Sequence, residues 1–324
     1  MSLLRSGEPA LSVRVNSMVE QRIPRNSLLP SSGGLFTPIG GTRAGFLAVC
    51  ANPACRSSWL RLWRSRNVPV FEGGWTCSPE CTIARVYGAV LREIEIHRDS
   101  GEHRHRVPLG LLMMERGWIS REQLRRALQA QRTAGSGRIG DWLIRQNAAT
   151  EETITRALAL QWSCPVLGAE LYQIAALAPW MPRLIVDAFD VLPLRLVPGK
   201  VLYLGFVERL DLALALAVER MSGLRVECCV VPESEFRPAH ANILQEPFPS
   251  TELVEAASPS CAARVLAKSI ERARPAAAQL VRVHDCLWMR MWLRLQPEGS
   301  PRVDAVQDIL CSIEPGIRNA APVR

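Results

Sequence analysis

Residues 109–131 read LGLLMMERGWISREQLRRALQAQ, and residues 139–161 read IGDWLIRQNAATEETITRALALQ. At an offset of 30 positions six residues are identical: Gly110/Gly140, Glu122/Glu152, Arg126/Arg156, Ala127/Ala157, Leu128/Leu158 and Gln131/Gln161. Apolar positions also coincide, as in Met113/Leu143, Met114/Ile144 and Leu124/Ile154. The spacing within each copy predicts a short helix, a turn and a longer helix. Ser120-Arg121-Glu122-Gln123 fits a capping box, and Thr150 before Glu151 and Glu152 fits an acidic helix start. Gly117 and Asn147 hold equivalent places where the short helices should end, and both residue types suit a left-handed cap. Gly135-Ser136-Gly137 separates the copies. Two copies are too few for a solenoid. They form a pseudo-twofold pair, suited either to a pseudosymmetric ligand or to packing against each other.

Downstream, residues 165–245 change character. Pro179–Phe189 reads as helix, and Val191–Leu196 and Val201–Val207 as strands joined by Pro198-Gly199-Lys200. A helix over Leu210–Arg220, a strand over Leu224–Val231 and a helix over Glu233–Leu244 complete a small ββαβα layer. Glu246–Pro259, with three Pro and two Ser, reads as a linker. A helix over Cys261–Ala273, strands over Leu280–His284 and Trp288–Leu295, and a weak helix over Val303–Ile313 follow.

Upstream, Cys50-x4-Cys55 and Cys77-x3-Cys81 form two close pairs about twenty residues apart. Thiolates are soft ligands suited to tetrahedral zinc, and a knuckle and a helix start at this spacing can converge on one ion. Ser78-Pro79 marks that helix start. The pattern resembles treble-clef-like fingers, although their usual two-residue gaps are replaced by four and three. Four Cys leave no position for a catalytic water, so the expected role is structural zinc; unpaired core Cys is the alternative.

The expected fold class is therefore α+β multidomain: a small four-Cys zinc module, a tandem helix-turn-helix repeat beside a small ββαβα layer, and a C-terminal α/β appendage. Expected boundaries are a basic tail at 1–44, the zinc module at 45–100, the repeat at 101–164, the layer at 165–247, and linker plus C-terminal segment at 248–324.

The net charge of +8 is uneven. Residues 1–66 hold nine Arg against Glu8 and Glu20, a net of +7. With Arg61, Arg64 and Arg66 interleaved by Trp59 and Trp63, this region offers a second reading, a zinc-dependent nucleic-acid-binding regulator. A solvated tail is the plainer account. No run approaches the roughly 18 apolar residues of a membrane span, and Arg5, Glu8 and Arg14 break any signal core. The expected location is cytoplasmic, with the ten Cys reduced, buried or metal-bound.

The repeat, from Leu109-Gly110 to Gln131 and from Arg138-Ile139-Gly140 to Gln161, resembles the tandem motif of the N-terminal domain of type II secretion and type IV pilus assembly ATPases, known as GspE N-terminal or MshEN. Val191-Leu192-Pro193-Leu194, Lys200-Val201-Leu202 and Ser222-Gly223-Leu224-Arg225-Val226 resemble its second subdomain. The resemblance covers roughly residues 105–245. Some members bind cyclic di-GMP, one motif copy per half of the dinucleotide. Carried over by position, this implies Gly110, Leu124, Leu128 and Gln131 in the first copy, and Arg138, Ile139, Gly140, Ile154, Leu158 and Gln161 in the second. Pro108 stands where the first copy should carry the counterpart of Arg138, with Arg106 two residues earlier as a substitute.

The family's phosphate-binding loop needs Gly-x4-Gly-Lys-Ser/Thr. The chain has two Lys. Val201 follows Lys200, with Leu194 in place of the first Gly, and Lys268 follows Ala267. Neither forms the loop, so ATP hydrolysis by that route is not expected. The expectation is a non-enzymatic sensor or adaptor, binding cyclic di-GMP or acting without nucleotide, and docking on a secretion or pilus component.

Overall fold

The computed structural model describes residues 47–56, 58–60, 69–98, 106–169, 174–294 and 301–313. The nucleic-acid reading falls mainly on residues outside these. The architecture is α+β, and three cores organise it.

The first core joins α1 and the hairpin before it to the C-terminal part of the described residues. Strands β1 (Leu47–Val49) and β2 (Ser58–Leu60) pair antiparallel, and β3 (Val70–Phe71) and β4 (Gly74–Trp75) form a tight hairpin. Its turn residues Glu72 and Gly73 both have positive φ, as a two-residue hairpin requires. Helix α1 (Pro79–Arg98) follows. Phe71, Val86 and Val90 pack against Ala263, Leu266 and Ile270 of a late helix, α9 (Pro259–Ala273). The backbone N–H of Glu72 donates to Ala278 O at 2.7 Å. Glu93, on α1, is fully buried; it accepts from Arg220 at 2.8 Å and from the Arg282 backbone N–H at 3.1 Å. The Cys-bearing segment therefore shares a core with the C-terminal segment.

The second core is the tandem repeat: α2 (Leu109–Glu115), α3 (Arg121–Ala134), α4 (Ile139–Arg145) and α5 (Glu151–Trp162). Met113, Leu124 and Ala127 meet their repeat equivalents Leu143, Ile154 and Ala157. The capping box at Ser120 is complete, Thr150 caps α5, and Gly117 and Asn147 both have positive φ.

The third core is the layer. Here α6 (Arg183–Ala188) precedes β5 (Leu192–Val197), β6 (Val201–Phe206), α7 (Leu212–Ser222), β7 (Arg225–Val230) and α8 (Glu233–Ile243). Strands β5 and β6 are antiparallel; β6 and β7 are parallel, joined through α7. Leu158 and Trp162 of the repeat pack against this core.

Two expectations about the C-terminal segment are corrected. Within the stretch read as linker, Ser250–Ala256 is a strand, β8. Its flanking Pro247, Pro249 and Pro259 bound the strand instead of dissolving it. Where a weak helix was expected, only Val303–Ala305 is helical, as a single 3-10 turn, and Val306–Ile313 is β11. With β9 (Ala277–Val283) and β10 (Cys286–Trp292) these make a four-stranded sheet in the order β8-β11-β10-β9. Both faces are covered over β9, β10 and β11, whereas the edge strand β8 is largely exposed. Leu287, Met289 and Met291 face α1 and α9, while Trp288 joins the core of the layer. Burial on both faces removes the alternation of apolar and polar residues that identifies a strand in sequence.

Arg290, on the layer side, is almost wholly buried. Its guanidinium donates to both oxygens of Asp308 on β11 at 2.8 Å and to Trp180 O at 2.6 Å. Trp288 Nε1 donates to the same carboxylate at 2.8 Å.

Candidate functional site

The four cysteines converge. Cys50 follows β1, Cys55 precedes β2, Cys77 follows β4 and Cys81 lies in the first turn of α1. Their four sulfurs lie within 4.8 Å of one another. Cys55 and Cys77 are 3.5 Å apart, and Cys77 and Cys81 are 3.6 Å apart. A tetrahedron with metal–sulfur bonds of ~2.3 Å has edges of ~3.8 Å, so the spacing fits a single ion. Asn52 shapes the first knuckle: its Oδ1 accepts from Ala54 N–H at 3.1 Å and its Nδ2 donates to Cys81 Sγ at 3.3 Å. Ser78 Oγ accepts from the Cys81 N–H at 3.3 Å. Desolvation, followed by hydrogen bonds among the sulfurs, pushes the Cys77 thiol up to about 12. These four sulfurs could hold a metal ion.

The other described cysteines lack such company. Burial pushes the Cys164 thiol up to about 11 and the Cys228 thiol up to about 12. Cys229 is fully buried, donating to Leu204 O at 3.4 Å.

The repeat closes on itself in a pseudo-twofold manner. Gln131 Nε2 donates to Gly137 O at 2.7 Å, and Gln161 Nε2 donates to Val107 O at 2.6 Å. Gly137 and Val107 are themselves one repeat apart, so each copy's terminal Gln pins the segment leading into the other copy's short helix. The paired glycines serve close approach. A Cβ on Gly110 would lie 2.5 Å from Leu124 Cδ1, and one on Gly140 would lie 3.1 Å from Ile154 Cγ2. Overpacking costs about 1–3 kcal/mol, and replacing Gly by Ala in a helix returns up to about 1 kcal/mol. Gly110→Ala should therefore lower stability by about 1 kcal/mol in a denaturant melt, and Gly140→Ala should be near neutral.

A cleft of about 480 Å³ along α3 of the first copy, lined by Arg126, Gln129, Ala130, Thr133, Ala134 and Trp142, holds none of the candidates; the second copy faces another. It measures about 570 Å³, and Arg138, Ile139, Gly140, Ile154 and Leu158 line it. The first-copy candidates do not: Gly110, Leu124 and Leu128 pack within the repeat core, and Gln131, like Gln161, is engaged with backbone. Arg106 does not take the place that Pro108 vacates, because its guanidinium lies 3.1 Å above the Trp162 ring.

Arg138 is the N-cap residue of α4, one-third exposed, and three carboxylates surround it. It reaches Asp141 at 3.0 Å, Glu208 at 2.7 Å and Glu233 at 2.7 Å. Hydrogen bonding to Asp141 is the largest of the effects that push its pKa still higher. Desolvation raises the Glu208 carboxyl above its usual range, opposed by the Arg138 charge. Around the cleft Asp141, Glu151, Glu208 and Glu233 face two guanidinium groups, Arg138 and Arg237. Sequence reading missed these carboxylates. Asp141 was within reach, one helical turn from Arg138, but Glu208 and Glu233 arrive from a distant loop and helix start with no local signal.

Among solved structures, the chain is similar to MshE with cdg, at 27% identity over 43% of this chain and 99% of that one, with a TM-score of 0.36. It is also similar to the N-terminal domain of XpsE in two crystal forms. One gives 20% identity, 44% and 97% coverage and a TM-score of 0.31; the other gives 19%, 43%, 99% and 0.25. No protein-family model matches the chain, and no curated protein matches it. Among the described residues no helix is long and apolar enough to cross a membrane.

Proposed function

We propose that this protein is a non-enzymatic, zinc-stabilised sensory adaptor related to the N-terminal domains of secretion and pilus ATPases. Its second repeat copy binds cyclic di-GMP, and the module then docks on a secretion or pilus component. The observation that carries this reading is the cleft. Ile139, Ile154 and Leu158 give it an apolar wall for a base, and Arg138 stands at its mouth to meet a phosphate. Its volume falls within the roughly 300–1,000 Å³ of small-molecule sites. The resemblance of the repeat to a cyclic di-GMP-binding motif supplies the ligand class, and MshE, a structural neighbour, was solved with cdg.

The reading is asymmetric. The first copy has Pro108 in place of the arginine, and its Gly110, Leu124, Leu128 and Gln131 do not line the cleft. One half of the dinucleotide is therefore gripped by Arg138 and the apolar wall, while the other half relies on weaker contacts.

Zinc is assigned to the four-Cys centre on donor chemistry. Four soft thiolates at tetrahedral spacing with no open position suit structural Zn²⁺.

The test is a calorimetric titration of cyclic di-GMP into the full-length, zinc-loaded chain and its Arg138→Ala variant. Loss of one charge-assisted contact, about 1.5–3 kcal/mol, predicts affinity weakened by about one to two decades. Equal affinity in the two proteins, or no heat from either at high ligand concentration, overturns the nucleotide reading.

A further inference from the structure

The cleft meant for an anion is lined by an excess of carboxylates, and two of them come from outside the repeat. Glu208 sits in the loop between β6 and α7, and Glu233 is the first residue of α8. Both reach Arg138 at 2.7 Å. A phosphate and these carboxylates want the same guanidinium, whose planar fork can serve only a few acceptors at once. The same pairs tie α4 of the repeat to the ββαβα layer. A neighbouring contact reinforces the tie: Glu151 Oε1, at the start of α5, accepts from the Ser234 backbone N–H at 2.8 Å.

We propose that Glu208 and Glu233 form an inhibitory latch: they compete with an anionic ligand for Arg138, and a ligand that wins the arginine releases the repeat from the layer at the α4–α8 contact. This rests on the reading of the cleft as a cyclic di-GMP site. The latch converts occupancy of the cleft into a change at the interface between two packed units, which is what a sensor needs in order to report. It also sets specificity. A ligand lacking a phosphate cannot displace two carboxylates from Arg138, however well it fills the apolar wall.

Charge placement gives the latch a pH dependence. The groups facing Arg138 are Asp141 on α4, Glu151 on α5, Glu208 on the β6–α7 loop, and Glu233 with Arg237 on α8. Arg237 Nε donates to Glu233 at 3.2 Å. Glu208 has its carboxyl raised by desolvation, so it gains its proton at a higher pH than an ordinary carboxyl does. Protonation removes one competitor, and cyclic di-GMP should bind more tightly as pH falls and Glu208 gains its proton.

The experiment compares the full chain with its Glu208→Gln/Glu233→Gln double variant, using two readouts. Amide hydrogen exchange without nucleotide reports the tie between the units; calorimetry with cyclic di-GMP reports the competition. The expected result is faster exchange in α4 and at Ser234 in the variant, with affinity raised about tenfold, as expected when two half-exposed ion pairs no longer compete. Unchanged exchange, with affinity equal or lower in a variant whose parent does bind, overturns the latch and leaves the nucleotide site standing. Faster exchange with no binding by either protein overturns the nucleotide reading, and the competition with it, while supporting the tie between the units.

Discussion

Stripping the zinc proposed for the four-Cys centre is expected to destabilise the whole described body, including the parts far from the N-terminal hairpins. Structural zinc contributes an apparent ~10–16 kcal/mol in small zinc-dependent peptides. Ordinary domains have only about 5–15 kcal/mol in total. The consequence spreads because Cys77 and Cys81 anchor α1, and α1 is not a free-standing helix. Its Val86 and Val90 lie in one core with α9 and the four-stranded sheet, and its Glu93 is buried against Arg220 and β9. A chelator, or Cys81→Ser, should therefore lower the calorimetric midpoint of the single main transition. Metal content should fall from one zinc per chain to none. Cys286→Ser, outside the cluster, should leave both unchanged. A zinc-free chain that melts at the original midpoint would show the four thiols to be ordinary core residues.

The second large effect lies on the other face of that sheet. Asp308 is 0% exposed and Arg290 is 1% exposed. Their two hydrogen bonds, with the further donor from Trp288 and the acceptor at Trp180, satisfy a charge pair removed from water. Such a pair contributes little net stability when intact, but breaking it strands a buried charge at a cost of about 3–5 kcal/mol. Asp308→Ala should thus remove much of the protein's stability, read as a loss of that size in urea unfolding. The double variant Asp308→Leu/Arg290→Met should recover most of it, since an apolar pair of similar volume strands nothing. A cost of less than about 1 kcal/mol for Asp308→Ala would contradict a charge pair removed from water.

The parts of the fold that were legible in sequence are those carried by local signals. The repeat announced its helices through periodicity, its caps through Ser120 and Thr150, and its left-handed turns through Gly117 and Asn147. The Cys pairs announced their convergence through spacing, since a knuckle and a helix start are local structures. What escaped was set by tertiary pairing. Strand β11 has apolar residues at Val306, Ile309, Leu310 and Ile313, a helical spacing, and becomes a strand because β8 and β10 pair on either side of it. Asp308, which looks like a surface residue in sequence, is inside because Arg290 is opposite it in register.

The site divides along the same line. Arg138, Ile139, Gly140, Ile154 and Leu158 carry the mark of the repeat and line one cleft. Gly110, Leu124 and the two Gln carry the same mark and take part in the closure of the repeat on itself, as Gly140 and Ile154 also do. Repetition marks residues that are equivalent, and packing and binding both leave that mark. The acidic partners Glu208 and Glu233 carry no repeat signal at all, and both pair with Arg138.

The most direct test of the central claim is methyl chemical-shift mapping of the full-length, zinc-loaded chain with cyclic di-GMP. The account predicts that the methyl groups of Ile139, Ile154 and Leu158 shift with ligand, while those of Leu124 and Leu128 stay in place. Equal shifts in both copies would contradict the one-sided cleft, and no shift in either would contradict nucleotide binding altogether.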